Sequence, residues 1–184
     1  MRRKPFFELL TVLALLSAST LGAEEPQPSE YQLKAVFLYN FAKFVEWPAE
    51  AFPRTNAPFI IGVLGQSPLG EELERTVRNK TLNGHPFVIK YLKGISDMSG
   101  CHVLFVSPSE RRRMSEILRI ASQGSILTVS ETDRFLQSGG MIRFFMEGNK
   151  VRFDINDEAA KSANLRISSK LLSVARRVET ESAK

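Results

Sequence analysis

Short apolar runs that alternate with helical segments constrain the fold of this chain more than any other feature. Three of them, "FIIGVLG" (59–65), "HVLFVS" (102–107) and "SILTVS" (125–130), are rich in β-branched residues and are typical of buried strands. The first two precede Ser-Pro pairs that begin predicted helices, and the third precedes "ETDRFLQS" (131–138), which we predict as a short helix. The alternation predicts an α/β fold in which helices cover both faces of a sheet.

The C-terminal third of the chain adds an antiparallel element to this pattern. "GGMIRFFMEGNKVRFDIN" (139–156) alternates on both sides of "EGNK", which predicts a hairpin near the C-terminus. A further strand is predicted at 86–91, and closing helices at 157–163 and 168–178. We therefore expect a three-layer α/β sandwich with a mixed sheet, formed by a single domain that spans residues 24–184.

The first 23 residues have the order of a secretory signal peptide. A basic start (Arg2, Arg3, Lys4) precedes an apolar run at 9–16 and a stretch of small residues that ends at Ala23. The alternative is an uncleaved membrane anchor, but the apolar run is shorter than the roughly 20 residues that a spanning helix needs. We predict cleavage near Ala23 and a periplasmic mature protein.

Charge and cysteine content limit the classes of partner and chemistry. Removal of residues 1–23 takes away three basic residues and one acidic residue, which lowers the formal net charge from +5 to +3. We therefore expect no nucleic-acid partner. Cys101 is the single cysteine, so no disulfide can form within the chain. It is either a small buried hydrophobic residue at a strand start or a redox candidate that forms an intermolecular bridge.

The sequence gives little support for an enzyme. The two histidines, His85 and His102, are far apart, and no carboxylate pattern accompanies them. No nucleophile elbow, phosphate-binding loop or zinc spacing is present in the sequence. A hydrolase or transferase would need one of these histidines beside a carboxylate or a serine. We predict no enzymatic activity, no metal and no cofactor.

The segment "NLRISSKLLSVARR" is a candidate anion site. Ser168 and Ser169 lie at a predicted helix start, Arg166 precedes them, and Lys170 is on the first turn. An arginine beside a helix N-terminus can hold a carboxylate or a phosphate. The alternative is an ordinary serine cap beside a solvated arginine. A periplasmic small-ligand module with its pocket near Arg166 is therefore the alternative functional hypothesis.

A helix predicted from Glu30 to about Val45, and ended by Pro48, has two faces of different composition. At 100° per residue one side is a predicted core face: Phe37, Leu38, Phe41, Phe44 and Val45. The other side mixes large apolar with polar groups: Val36, Tyr39, Asn40, Lys43 and Glu46, with Trp47 beside them. That mixture is typical of a protein interface. The alternative is that later segments of the same domain cover this second face.

Six segments resemble the YfiR-like family of exported bacterial proteins. They are "YQLKAVFLYNFAKFVEWP", "FIIGVLGQSPLGEEL", "CHVLFVSPSE", "SILTVSE", "GGMIRFFMEGNKVRFDIN" and "LRISSKLLSVAR". The resemblance extends from about Tyr31 to Val178, and the order and spacing of the segments make it specific.

The resemblance implies a dimeric periplasmic regulator. Members of this family bind the periplasmic part of an inner-membrane diguanylate cyclase and hold it inactive, and release raises cyclic-di-GMP and promotes biofilm growth. An outer-membrane lipoprotein is implied as a further partner. Trp47 and Pro48 lie in the family's "KFVEWP" signature (43–48) and Tyr39 shortly before it, and the resemblance implies that all three bind a partner. Some members carry cysteine pairs, whereas this chain has only Cys101, so control through an intramolecular disulfide is not expected.

Overall fold

The computed structural model describes residues 27–54 and 56–175. The predicted signal peptide at 1–23 lies outside the described residues. Within the described part of the chain, no helix has the length and apolar character needed to cross a membrane.

Helices and strands alternate along most of the chain, as the sequence predicts. The α-helices are α1 (Glu30–Phe44), α2 (Leu69–Val77), α3 (Met114–Ala121), α4 (Asp157–Ser162) and α5 (Ser169–Val174). The strands are β1 (Val45–Glu46), β2 (Phe59–Leu64), β3 (Thr81–Leu82), β4 (His85–Leu92), β5 (Val103–Val106), β6 (Leu127–Ser130), β7 (Ile142–Glu147), β8 (Lys150–Ile155) and β9 (Arg166–Ile167). Short 3-10 helices lie at Ala49–Ala51, Ile95–Met98 and Pro108–Arg113.

Seven strands form a mixed sheet in the order β3-β4-β2-β5-β6-β7-β8. The five strands from β4 to β7 in this order are parallel, and the antiparallel hairpin predicted at 139–156 places β8 at one edge. At the opposite edge, β3 pairs with only the first two residues of β4. A separate two-stranded antiparallel sheet joins β1 to β9. The predicted α/β fold with a mixed sheet is confirmed.

Alternate residues of the central strands supply two different cores, which places helices on both faces of the sheet. Phe59, Ile61 and Val63 of β2 pack in one core with α1 and α2 residues such as Leu38 and Leu73. The neighbouring Leu64 instead belongs to a second core, formed with α3 and the other face of β5. This core contains Leu104, Val106, Met114, Ile117 and Leu118.

Helix α1 begins as predicted and ends within one residue of the predicted end. The Ser29 hydroxyl accepts the Gln32 N–H, and the Gln32 side chain accepts the Ser29 N–H, which forms a capping box. The helix ends at Phe44, because Val45 and Glu46 pair as a strand with Ile167 and Arg166. The projection of Glu46 and Trp47 onto a helix face was therefore wrong, and Pro48 lies beyond this strand rather than at the helix end.

The buried face of α1 also differs in part from the prediction. Leu38 and Phe41 are fully buried, as expected, but Phe44 is 37% exposed. The remaining buried positions are two alanines, Ala35 and Ala42, together with Lys34. The helical spacing of apolar residues did not predict the burial of Lys34. Its charged side chain can be buried because its ammonium group is paired with the carboxylates of two glutamates.

The predicted helix at 131–138 is wrong. The segment forms consecutive turns, in which Phe135 N–H bonds to the Thr132 carbonyl and Ser138 N–H to the Arg134 carbonyl. Arg134 has a left-handed backbone conformation with φ of 61°, which interrupts a right-handed helix. The turn directs Phe135 into the core beside α3, where it is fully buried.

Candidate functional site

The outward side of α1 carries a stripe of mixed composition along its length. Its members follow the i, i+3, i+4, i+7, i+8 spacing of one helix face, and we call them the α1 outer stripe: Val36, Tyr39, Asn40, Lys43 and Phe44. Val36 is 47% exposed, and Lys43 is also exposed. The structure therefore leaves two large apolar side chains, Val36 and Phe44, in contact with solvent on this helix.

Tyr39 connects the α1 outer stripe to the sheet. Its ring packs edge-on against Phe87 of β4, with 5.5 Å between ring centroids. The ammonium groups of Lys80 and Lys43 lie 4.5 Å and 5.4 Å from the Tyr39 ring centroid, within the range of a cation–π contact. Tyr39 is half-buried as a result, and its surroundings are basic.

Trp47 is fixed against the core rather than extended into solvent. Its ring packs perpendicular to Phe59 with 5.0 Å between centroids, and its indole N–H donates to the His102 carbonyl at 3.3 Å. Phe59 also contacts Phe87 at 5.1 Å. The sequence placed Tyr39 and Trp47 side by side on one helix face. In the structure they lie at opposite ends of a row of packed rings, with Phe87 and Phe59 between them. Pro48, next to Trp47, is half-buried.

The two histidines come together around one phenylalanine. The Phe52 ring stacks on His85 at 4.3 Å and on His102 at 4.6 Å. His102 Nδ1 accepts the Ile60 N–H at 3.0 Å, so Nε2 carries the proton and donates to the Ala51 carbonyl at 3.1 Å. Both ring nitrogens of His102 are therefore used in holding segments of the fold together.

Burial keeps His102 neutral. It lowers the pKa of His102 below its ordinary value; the Ala51 hydrogen bond opposes this shift and the neighbouring His85 adds to it. Among the described residues, no group of three or more His, Cys, Asp or Glu side chains could hold a metal ion. The geometry around His102 is that of a structural histidine.

Cys101 lies beside a groove at the amino ends of β5 and β6. The groove has a volume of about 720 Å³ and is bordered mainly by apolar groups, among them Pro48, Ala51, Met98 and Ile120. Cys101 itself is buried, and burial raises the pKa of its thiol. The structure therefore places the predicted redox candidate and Pro48 at the same groove, which the sequence did not indicate.

The predicted anion-binding residues lie on β9 and at the start of α5. Ser168 caps α5, because its hydroxyl accepts the Leu171 N–H at 3.3 Å. Arg166, Ser169 and Lys170 are exposed. Arg166 pairs in register with Glu46, so the predicted ligand-binding and partner-binding segments are neighbours in the β1–β9 sheet. An anion site here stays a prediction.

Sequence reasoning missed two exposed apolar side chains on one strand. Val88 and Tyr91 of β4 are 38% and 53% exposed, although they lie in a strand whose pattern resembles a buried one. Their exposure could not be read from "PFVIKYL", because it depends on β4 being next to the sheet edge.

A comparison with known protein families identifies the family of this chain. A sequence profile of the family described as YfiR/HmsC-like matches residues 31–176, which include all the strands described above. No curated protein matches the chain. The match covers most of the 184 residues and confirms the resemblance that the six segments carry. The chain therefore belongs to the YfiR/HmsC-like family.

Proposed function

We propose that this protein is a periplasmic regulator that binds the periplasmic sensor part of an inner-membrane diguanylate cyclase and represses it. Membership of the YfiR/HmsC-like family supports a regulatory role in diguanylate cyclase signalling. The α1 outer stripe is the observation that carries the proposal for this chain. It presents Val36 and Phe44 to solvent beside charged Lys43, and Glu46 follows on β1.

The composition of this surface suits a protein partner. Interfaces combine apolar anchors with a polar rim, and the α1 outer stripe has both within two helical turns. Trp47 packs on Phe59 and fixes the chain where it leaves β1, next to Glu46 and Pro48. We assign Tyr39 a contact role at the margin, next to Lys80.

Repression follows from differential affinity. A regulator that binds the inactive conformation of the cyclase more tightly than the active one shifts the population toward the inactive state. A shift from mostly active to mostly inactive requires that preference to be large, on the order of 10⁴-fold for a change from 1:99 to 99:1. The proposal assigns no catalytic step to this chain.

Direct binding tests the proposal. The purified protein is applied to immobilised periplasmic domains of the host's diguanylate cyclases, and the dissociation constant is measured by biolayer interferometry. Val36→Glu and Phe44→Glu should each weaken the complex by at least about tenfold, because a charge would be buried at the interface. Met146→Glu is the matched control, since Met146 is 43% exposed on the β7–β8 hairpin.

Three results would be informative. Binding that is lost in Val36→Glu but kept in Met146→Glu supports the proposal. Binding that is equal in all variants would contradict the assignment of the α1 outer stripe. Failure of the wild-type protein to bind any cyclase domain would contradict the proposed function itself.

A further inference from the structure

Strand β4 has an edge that the fold leaves largely uncovered. β3 pairs only with His85 and Pro86, so within the described residues no strand pairs with the outer edge of 87–92. On its inner edge the same stretch is fully paired with β2, from Phe87 to Leu92. Along this stretch of six residues, roughly 20 Å in length, alternate residues therefore present main-chain N–H and C=O groups outward.

The two edges of the seven-stranded sheet differ in their side chains. At the β8 edge the exposed positions 150 and 152 are a lysine and an arginine, charged residues of the kind that discourage strand addition. At the β4 edge Lys90 is also exposed, but two further exposed positions are the large apolar residues Val88 and Tyr91. This contrast marks the β4 edge as the one suited to pair with a further strand.

Cavities flank the β4 edge on both faces of the sheet. One of about 540 Å³ borders Phe87, Ile89 and Val77 on the face that α2 covers. Another of about 460 Å³ borders Lys90 and Leu92 beside the 3-10 helix Ile95–Met98. Side chains of an added strand point alternately to the two faces. The two cavities therefore lie where such alternate side chains would be placed.

The charges around this edge favour an acidic occupant. Four exposed basic residues flank it: Arg78, Lys80, Lys90 and Lys93. Of the nearby acidic groups, Glu71 pairs with Arg75, Glu74 faces the Tyr91 hydroxyl, and Asp97 accepts the N–H groups of Lys93 and Gly94. A second copy of this chain would bring the same four cations to the edge, which disfavours pairing between two β4 strands.

We propose that the β4 edge binds an extended acidic segment of the cyclase's periplasmic domain by strand addition. The inference rests on the proposed function and names how the partner is recognised. The edge is continuous with the α1 outer stripe, because Tyr39 packs on Phe87 at the start of the exposed stretch. One partner can therefore contact the helix and extend the sheet at the same time, with main-chain bonds supplying affinity and the flanking cavities supplying selectivity.

Hydrogen exchange of backbone amides tests strand addition directly. The purified protein is measured free and in complex with a cyclase domain that it binds. Amides of 87–92 that point away from β2 should exchange more slowly in the complex, whereas those of β8 at the other edge should be unchanged. A complex in which the β4 amides are not protected would overturn the strand-addition proposal and leave the proposed function standing.

Charge reversal provides a second measurement. Lys90→Glu should weaken the complex several-fold, mainly through a slower association rate, and should reduce its dependence on salt. Lys150→Glu, an exposed lysine on the opposite edge strand, is the matched control and should leave both unchanged. If Lys90→Glu and Lys150→Glu change the complex equally, the proposal that the bound segment is acidic would be wrong.

The remaining outcomes separate the possible occupants. Protection of β4 that appears on raising the concentration of this protein alone would assign the edge to a second copy and overturn the proposal. Absence of a complex with every cyclase domain would overturn the proposed function and, with it, this inference.

Discussion

Lys34 offers the sharpest test of how α1 is held on the sheet. Its side chain is 3% exposed, and its ammonium group is paired with the carboxylates of Glu30 and Glu131. Glu131 also accepts the Tyr31 hydroxyl at 3.2 Å, and the Lys34 ammonium lies 4.8 Å from the Tyr31 ring centroid. Glu131 directly follows β6, so this cluster fixes the first turns of the helix to the end of a central strand.

Lys34→Met should destabilise the protein by about 2–3 kcal/mol. Removing one partner of a fully buried ion pair costs about 3–5 kcal/mol, because the other charge is left without compensation. Glu131 is 15% exposed and keeps the Tyr31 hydroxyl, which places the expected value below that range. For a chain of this size the melting temperature should fall by roughly 5–10 °C.

Urea unfolding followed by circular dichroism measures the effect, and a double-mutant cycle isolates the pair. Lys34→Met combined with Glu131→Gln should lose less stability than the two single changes together, by at least about 1 kcal/mol. Lys161→Met is the matched control: this lysine also contacts two carboxylates but is exposed, and its replacement should leave the midpoint unchanged. A stable Lys34→Met, or strict additivity in the cycle, would refute the reasoning.

The stabilisation by Lys34 and its glutamate partners should depend on pH, and the direction follows from the pKa of Lys34. Burial alone would lower the pKa of Lys34, but the hydrogen bonds that it donates to Glu131 and Glu30 outweigh burial, and the pKa is raised. A raised pKa means that the contribution is complete below the ordinary lysine value of about 10.4 and is lost as the pH rises through the folded value. Alkaline unfolding should therefore be less steep in Lys34→Met than in the wild type.

Three further predictions concern the residues around the 47–53 segment. Because burial lowers the pKa of His102, the contribution of the neutral imidazole to stability is complete above about pH 6.5 and is lost as the pH falls through the lowered pKa. The melting temperature should therefore decline below about pH 6.5, and it should decline less steeply in His102→Gln. Cys101 should react with iodoacetamide far more slowly in the native protein than in urea, since it is buried and its pKa is raised; equal rates would contradict the position of the thiol. Trp47→Phe should lower the free energy of unfolding by about 1 kcal/mol, because the hydrogen bond to the His102 carbonyl is lost while a ring still packs against Phe59. Unfolding should be followed by circular dichroism, because Trp47 is the only tryptophan and the variant therefore has no tryptophan fluorescence.

The fold was predictable where one local signal dominates. The runs at 59–65, 102–107 and 125–130 became β2, β5 and β6, because central parallel strands are buried on both faces and therefore apolar throughout. The hairpin was equally clear from its alternation. The helix predicted at 131–138 failed because its composition does not reveal that Arg134 adopts a left-handed conformation.

The candidate site was less predictable, because it depends on contacts between distant segments. Val36 and Lys43 share a helix face by spacing alone, which the sequence reveals. The position of the Trp47 side chain could not be inferred from the sequence. It depends on the pairing of the two-residue strands β1 and β9, in which Glu46 lies opposite Arg166, 120 positions later in the chain. The burial of Lys34 likewise depends on Glu131, whose proximity no local pattern encodes.

The cellular cyclic-di-GMP concentration tests the central claim most directly. It should be measured in a host that lacks this protein and is complemented with the wild type, Val36→Glu or the Met146→Glu control, at equal periplasmic amounts. We predict that loss of the protein raises cyclic-di-GMP, that the wild type and Met146→Glu restore the low level, and that Val36→Glu does not. An unchanged level on loss of the protein, or full restoration by Val36→Glu, would contradict repression of a cyclase through the α1 outer stripe.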